Sequence, residues 1–267
     1  MDPSPFNKSE LAFSLGAPRM NDLSDQPLAP MLRKLNFLGN FGPEDVRALL
    51  ALPHTLKTIE AHAYIVREGD RATHSCLLRT GFAYRQKIVV SGLRQICSIH
   101  LAGDLVDLQN SLLIHADHSV QALNRIKVAF IPREAILEIA YARPEIGKAM
   151  WFDTLVDASI FREWTTNLGR RGARARIAHI LCEFGARLDA AGLGERCDYQ
   201  LPMSQEQLGD CTGLTSVHVN RMLRSLEEEG LISRSSRAVR IADWKALARA
   251  GEFDDAYLHL TLKSQPR

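Results

Sequence analysis

The stretch SQEQLGDCTGLTSVHVNRMLRSLEEEGLI, residues 204 to 232, packs two short helical patterns around one glycine and stops at another. Ser204 is a good N-cap and Gln207, three residues on, completes a capping box, so a first helix is expected from Gln205 to about Cys211 with Leu208 inward. In TGLT, Gly213 can supply a turn of positive φ, Leu214 can plug the space between the helices, and Thr215 is the next N-cap. The second helix is expected from Ser216 to about Glu229, with Val219, Met222, Leu223 and Leu226 inward and Gly230 at its C′ position. Two readings fit this spacing. One is an ordinary helical hairpin with a solvated face; the other is a helix-turn-helix whose second helix enters a DNA major groove.

The outward residues of the second helix suit the DNA reading. Ser216, Val217, His218, Asn220, Arg221 and Arg224 occupy its early, non-core positions. Arg221 can pair bidentately with a guanine edge, Asn220 with adenine, and Val217 can touch a thymine methyl. LISRSSRAVRIAD, after Gly230, reads as two short strands around SSR, a wing whose Arg234, Arg237 and Arg240 can straddle phosphates. The chain as a whole carries a net charge of only +2, so any nucleic-acid role rests on a local patch. Residues 169 to 249 hold 13 Arg and Lys against 10 Asp and Glu, and three of those acids form EEE at the far end of the second helix.

Upstream the texture changes three times. Residues 1 to 30 contain Pro3, Pro5, Gly16, Pro18, Pro27 and Pro30 with little periodicity, the pattern of a flexible tail. Helical spacing follows to about Leu52, broken at Gly39, Gly42 and Pro43, which predicts two short helices. Between about Leu56 and Ile131, runs such as FAYRQKIVV, RQICSIHL and RIKVAFI alternate with turn signals, arguing for an antiparallel sandwich or barrel. In FAYRQKIVV, period two puts Phe82, Tyr84, Ile88 and Val90 on one face and Arg85 and Lys87 on the other. After REAILEIAYARPEI, a long helix is expected from Glu145 to about Leu168, where Ala149, Phe152, Val156 and Ser159 alternate spacings of three and four. That stripe fits a helix packed on its own barrel as well as a seam between two copies. GRRGARAR, residues 169 to 176, reads as a hinge.

With these blocks in place the chain resembles the Crp/Fnr family of bacterial transcription regulators, from about Leu28 to about Asp243. EGD, TGFAYR, AGDLVDL, the long helix and residues 203 to 232 carry the likeness. The resemblance implies an α+β protein with an N-terminal antiparallel β-roll (a double-stranded β-helix of jelly-roll type), a long dimerisation helix and a C-terminal winged helix-turn-helix. It divides the chain into a tail (1 to 30), a β-roll sensor domain (31 to 144), the dimerisation helix (145 to 168), the DNA-binding domain (169 to 250) and a second tail (251 to 267). It implies a homodimer on pseudo-palindromic double-stranded DNA, with RNA polymerase as a further candidate partner. Ser204, Thr215 and Arg237 join the outward residues of the second helix as expected DNA contacts, and Ala149, Phe152, Val156 and Ser159 become the expected dimer seam.

Departures from the family pattern bear on effector and half-site. Where many members carry a glutamate at the second position of the recognition helix, this chain has Val217, so its base preference there should differ. Cyclic-nucleotide binders neutralise the phosphate with an arginine after GE; here the segment begins GD at Gly103, residues 95 to 124 hold no arginine or lysine, and His118 falls near that place. No cysteine precedes Cys76, which argues against an oxygen-sensing iron–sulfur cluster. His62, His74, His100, His115 and His118 lie in the β region, yet a haem or metal is not expected, nor any other cofactor. A cupin-type metal enzyme is the rival of another class; its H-x-H spacing is missing, as are phosphate-loop and nucleophile-turn motifs, so no enzyme activity is expected. Five scattered cysteines and the lack of a signal-like or membrane-spanning run make the cytoplasm the expected address.

Overall fold

The computed structural model describes residues 25–260. Two prolines open the first helices: Pro30 lies in the first turn of α1 (Ala29–Leu38) and Pro43 in that of α2 (Pro43–Leu50), where a missing N–H costs nothing. Leu28 and Ala29 are each 1% exposed, so the flexible tail expected through residue 30 ends sooner. The apolar face of α1, not visible as part of that tail, holds them in the core; residues 1–24 lie outside the described residues.

Seven strands follow, β1 (Thr55–Ile59), β2 (Tyr64–Val66), β3 (His74–Thr80), β4 (Ala83–Ile88), β5 (Arg94–His100), β6 (Ser119–Ala122) and β7 (Ile126–Pro132). They form two antiparallel sheets, ordered β1-β7-β3 and β2-β6-β4-β5. Cys76, Leu78, Val106, Val120, Ile126 and Val128 fill the roll between them. The expected alternation in β4 fails. Arg85 is 4% and Gln86 1% exposed, although both lie next to buried Tyr84 along the strand, while Ile88 is 53% exposed. The register shift between β4 and β5 places its extra residue, Cys97, in β5, while β4 runs against β6 without a break, so the burial of Arg85 comes from its partners Asp157 and Val106 and not from a reversed pleat.

β7 leads into α3 (Arg133–Ala142), and Arg143, extended before Pro144, breaks the helix before α4 (Pro144–Arg170). Over its 27 residues α4 is covered on one side by its own chain. Ala149 is fully buried against α1 and α3, so it is not available to a second copy, which corrects one member of the expected seam. Phe152 is half-buried and meets the ring of His259 edge-on at 5.9 Å, and Val156 packs on the inner core. Ser159 is half-buried. The exposed apolar stripe is instead Trp151 (70%) and Leu155 (50%), continuing toward Ser159 and Arg162. Periodicity marked the stripe through Ala149 and Val156, and packing turns that stripe inward and leaves Trp151 and Leu155 outside.

α5 (Ala173–Ala190) is the centre of the C-terminal unit, with Ile177, Ile180, Leu181 and Phe184 buried. Around it lie β8 (Asp198–Gln200), α6 (Gln205–Thr212), α7 (Ser216–Glu228), the hairpin β9 (Ile232–Ser235) and β10 (Ala238–Ile241), and α8 (Trp244–Ala250). The sheet order is β8-β10-β9. Residues 251–260, expected as a tail, pack on α5 and α4 through a short 3-10 helix at Asp255–Leu258; residues 261–267 lie outside the described residues. Among the described residues no helix is long and apolar enough to cross a membrane.

Gly209 shows how closely α6 meets the turn. A Cβ there would lie 2.3 Å from the Leu214 carbonyl oxygen. On an open helix surface Gly→Ala gains up to about 1 kcal/mol; Gly209→Ala is expected to lose about 1–3 kcal/mol from overpacking. Urea unfolding checks the sign, and a stabilised variant would mean that the turn yields.

Candidate nucleic-acid interface

Local capping chemistry builds the reading head. Ser204 Oγ accepts from Gln207 N at 3.1 Å, and Gln207 Oε1 accepts from Ser204 N at 2.8 Å, closing the capping box of α6. Gly213 ends α6 at φ +66°, which L side chains rarely adopt, and Thr215 Oγ1 accepts from His218 N at 3.3 Å to cap α7. Val219, Leu223 and Leu226 are buried beneath α7, and Gly230 follows it at φ +70°.

The opposite face of α7 is open. Val217 is 79% exposed, Ser216, Arg221 and Arg224 are exposed, and His218 and Asn220 are half-buried at the edges. Thr215 and Ser204 are exposed at the two helix N-termini. Arg237, exposed in the β9–β10 turn, and Ser204 line one cleft of about 610 Å³ together with His62, Arg94 and Arg125 of the roll.

Most arginines of this unit are spent on holding it together. Arg174 pairs with Glu229, Arg234 with Glu227 at 2.7 Å, and Arg240 with Asp198 at 2.8 Å. In the hinge, Arg171 pairs with Glu163 at 2.6 Å, and Arg176 donates to the carbonyls of Arg171 and Thr212. Arg234, Arg240 and these hinge arginines are therefore engaged within the fold, unlike the phosphate contacts that their sequence positions suggested. Among the described residues, Arg221, Arg224 and Arg237 make no ion pair.

Beneath the reading head, the roll meets α4 through buried charge. Arg85 Nη1 lies 2.7 Å from Asp157 Oδ2, and its Nη2 donates to the Val106 carbonyl at 2.9 Å. Lys34 of α1 reaches Asp104 at 2.8 Å and Asp153 at 2.7 Å, and Arg187 of α5 lies 3.6 Å from Asp104. The remaining cavity, about 40 Å³, is lined by Lys34, His100, Asp104, Asp153, Asp157 and Arg187 among others. His118 is 5% exposed, its Nδ1 2.5 Å from Asp117 Oδ1, and burial with nearby Arg85 pushes it down to about 4. None of the charged residues here except His118 was singled out from sequence for this place. Asp153 and Asp157, one turn apart on a largely apolar helix, were the available signal that buried cations must oppose them.

Comparison with known proteins agrees with this geometry. Residues 56–142 match the cyclic nucleotide-binding domain family and residues 175–250 the Crp-like helix-turn-helix domain family. The transcriptional activator protein FnrL of Cereibacter sphaeroides is 27% identical over 207 residues, covering 76% of this chain and 83% of FnrL. The nitrogen fixation regulation protein FixK of Azorhizobium caulinodans is 29% identical over 208 residues, covering 78% and 82%. The solved structure of FixK2 from Bradyrhizobium japonicum has the same fold, with a TM-score of 0.69 at 24% identity over 74% of this chain and 98% of that one. A roll, a long helix and a capped helix-turn-helix with a wing define a DNA-binding protein that carries a domain of the cyclic nucleotide-binding type. The chain belongs to the Crp/Fnr family of DNA-binding transcription regulators, a family of regulators and not of enzymes.

The cavity where the roll meets α4 does not fit a cyclic nucleotide. Pockets for such ligands run to about 300–1,000 Å³, whereas the cavity against α4 is about 40 Å³. Three carboxylates line it, Arg85 is already paired with Asp157, and His118 is neutral at pH 7, so no free cation meets a phosphate.

Asp107, buried beside Arg85, accepts from Cys76 N at 2.8 Å. Burial pushes its carboxyl up to about 6, outweighing the lowering pulls of that N–H and of Arg85. A raised carboxyl favours folding while protonated and costs stability once pH rises through 6. Relative to wild type, Asp107→Asn is expected to gain about 2 kcal/mol in going from pH 4 to pH 7.5. Urea titrations of both proteins at the two pH values check this; a pH-independent difference would show that Asp107 is ionised throughout.

Proposed function

We propose that the protein acts as a homodimer that reads a pseudo-palindromic operator and needs no cyclic nucleotide, metal or haem to do so. The observation that carries this reading is the open face of α7. Arg221 and Arg224 stand exposed and unpaired beside Val217 and Asn220, while their neighbours Arg174, Arg234 and Arg240 are tied to carboxylates. Arg221 and Asn220 would read base edges, Val217 a thymine methyl, with Ser216 and His218 flanking them. Ser204, Thr215, Arg224 and Arg237 would hold phosphates and give a salt-dependent affinity.

The second copy would pack along α4 through Trp151, Leu155, Ser159 and Arg162. Large aromatic and aliphatic side chains this exposed mark an interaction surface on an otherwise well-covered helix. Two such copies would place their recognition helices in successive major grooves, about 34 Å apart. The same reading puts the protein in the cytoplasm, with RNA polymerase as its partner beside the operator.

Arg221→Ala is expected to weaken binding to the selected operator by about 1–3 kcal/mol and to change binding to random DNA much less. Titration of labelled duplexes decides this: an equal loss on both would make Arg221 a phosphate contact, and no loss would remove α7 from the interface. Trp151→Glu with Leu155→Glu is expected to give folded monomers by light scattering. Persistent dimers would move the interface off this face of α4.

A further inference from the structure

The match to the Crp-like helix-turn-helix domain ends at residue 250, but the described chain continues for one more packed segment. Gly251 turns it against α5, and close approach is what requires a glycine: a Cβ there would lie 2.6 Å from His179 N. Phe253 packs edge-on against His179 at 5.3 Å and against Trp244 at 6.0 Å. Asp254 then caps the 3-10 helix by accepting from Ala256 N at 2.8 Å.

Tyr257 sits at the centre of a buried network. Its hydroxyl donates to Glu183 Oε2 at 2.7 Å and lies 3.1 Å from His179 Nε2, while His179 Nδ1 faces the Gly251 carbonyl at 3.1 Å. Glu183 Oε2 also accepts from Trp164 Nε1 of α4 at 2.9 Å. At one end Arg171 donates to the Glu252 carbonyl at 3.2 Å, and at the other His259 meets Phe152 of α4 at 5.9 Å. The segment thus packs on α5, meets α4 directly at Phe152, and is linked to Trp164 of α4 through Glu183, 12 residues or about 18 Å along the helix from Phe152.

α4 and α5 are joined only by Arg171 and Gly172. Arg94–Asp210 and Arg187–Asp104 tie the unit to the roll, whereas on α4 itself contacts at the joint, such as Arg171–Glu163, restrain the angle between the helices weakly because they lie at the pivot. Phe152 lies about 30 Å along α4 from Gly172, where a contact has the longest lever. We propose that residues 251–260 are a strap that fixes the DNA-binding unit on α4, and that Tyr257 and His259 are positioning residues that set the separation of the two recognition helices and hence the operator spacing. This rests on the dimeric reading of DNA given above. DNA offers half-sites in steps of about 3.4 Å, so a released hinge blurs the choice between neighbouring spacings without altering any base contact.

The test uses the full chain and measures binding to the selected palindrome, to the same half-sites with one base pair added or removed between them, and to a single half-site. Tyr257→Phe removes only the hydroxyl and its two partners; Tyr257→Phe with His259→Ala also frees the strap from Phe152. Both variants are expected to remain dimeric and to keep single-half-site affinity within about twofold. The preference for the cognate spacing is expected to fall about tenfold in the double variant and less in the single one, in the range of couplings between structural units. Variants that melt at lower temperature yet keep the wild-type spacing preference would overturn the strap and leave a merely structural segment. A wild-type protein that shows no spacing preference at all would overturn the dimeric reading instead.

Discussion

Buried charge dictates how the roll meets α4. Lys34, Arg85 and Arg187 face Asp104, Asp153 and Asp157 across that joint, and an ion taken from water without its partner costs about 3–5 kcal/mol. Each pair joins different elements: α1 to the loop after β5 and to α4, β4 to α4, and α5 to the same loop. The register of the long helix on the roll is therefore specified by pairs that tolerate no slip.

A second set of charges ties the roll to the reading head. Arg94 of β5 meets Asp210 of α6 at 2.6 Å, and Gln95 donates to the Asp210 carbonyl at 2.7 Å. Within the head, arginines at the hinge and wing are paired with acids. Of the arginines on the recognition helix and the wing, Arg221, Arg224 and Arg237 are left without an ion pair, so the site is defined as much by which arginines are used internally as by which are exposed.

The parts legible in the sequence were those fixed by local chemistry. Caps at Ser204 and Thr215, the turn at Gly213 and the stop at Gly230 each depend on neighbours within four residues, and α6 and α7 lie where these signals put them. The two short helices before the roll were legible for the same reason, through their prolines and glycines. The roles of Arg85 and of the α4 stripes were not, because they depend on non-local partners. Arg85 is buried because Asp157 of α4 lies opposite it, and Ala149 or Trp151 faces inward or outward according to α1 and α3, which no periodicity in α4 reports. The segment after Gly251 carries no period at all; its aromatic residues acquire meaning only against His179, Glu183 and Phe152.

On the function proposed above, α7 reads a two-fold DNA site without help from a small ligand. Selecting bound sequences from random duplexes with the purified full-length protein, and nothing added, tests it most directly. The expected result is an enriched pseudo-palindrome whose half-sites lie one helical turn apart, about 10–10.5 base pairs centre to centre. A pool that stays random, with binding that depends on salt but not on sequence, would contradict it.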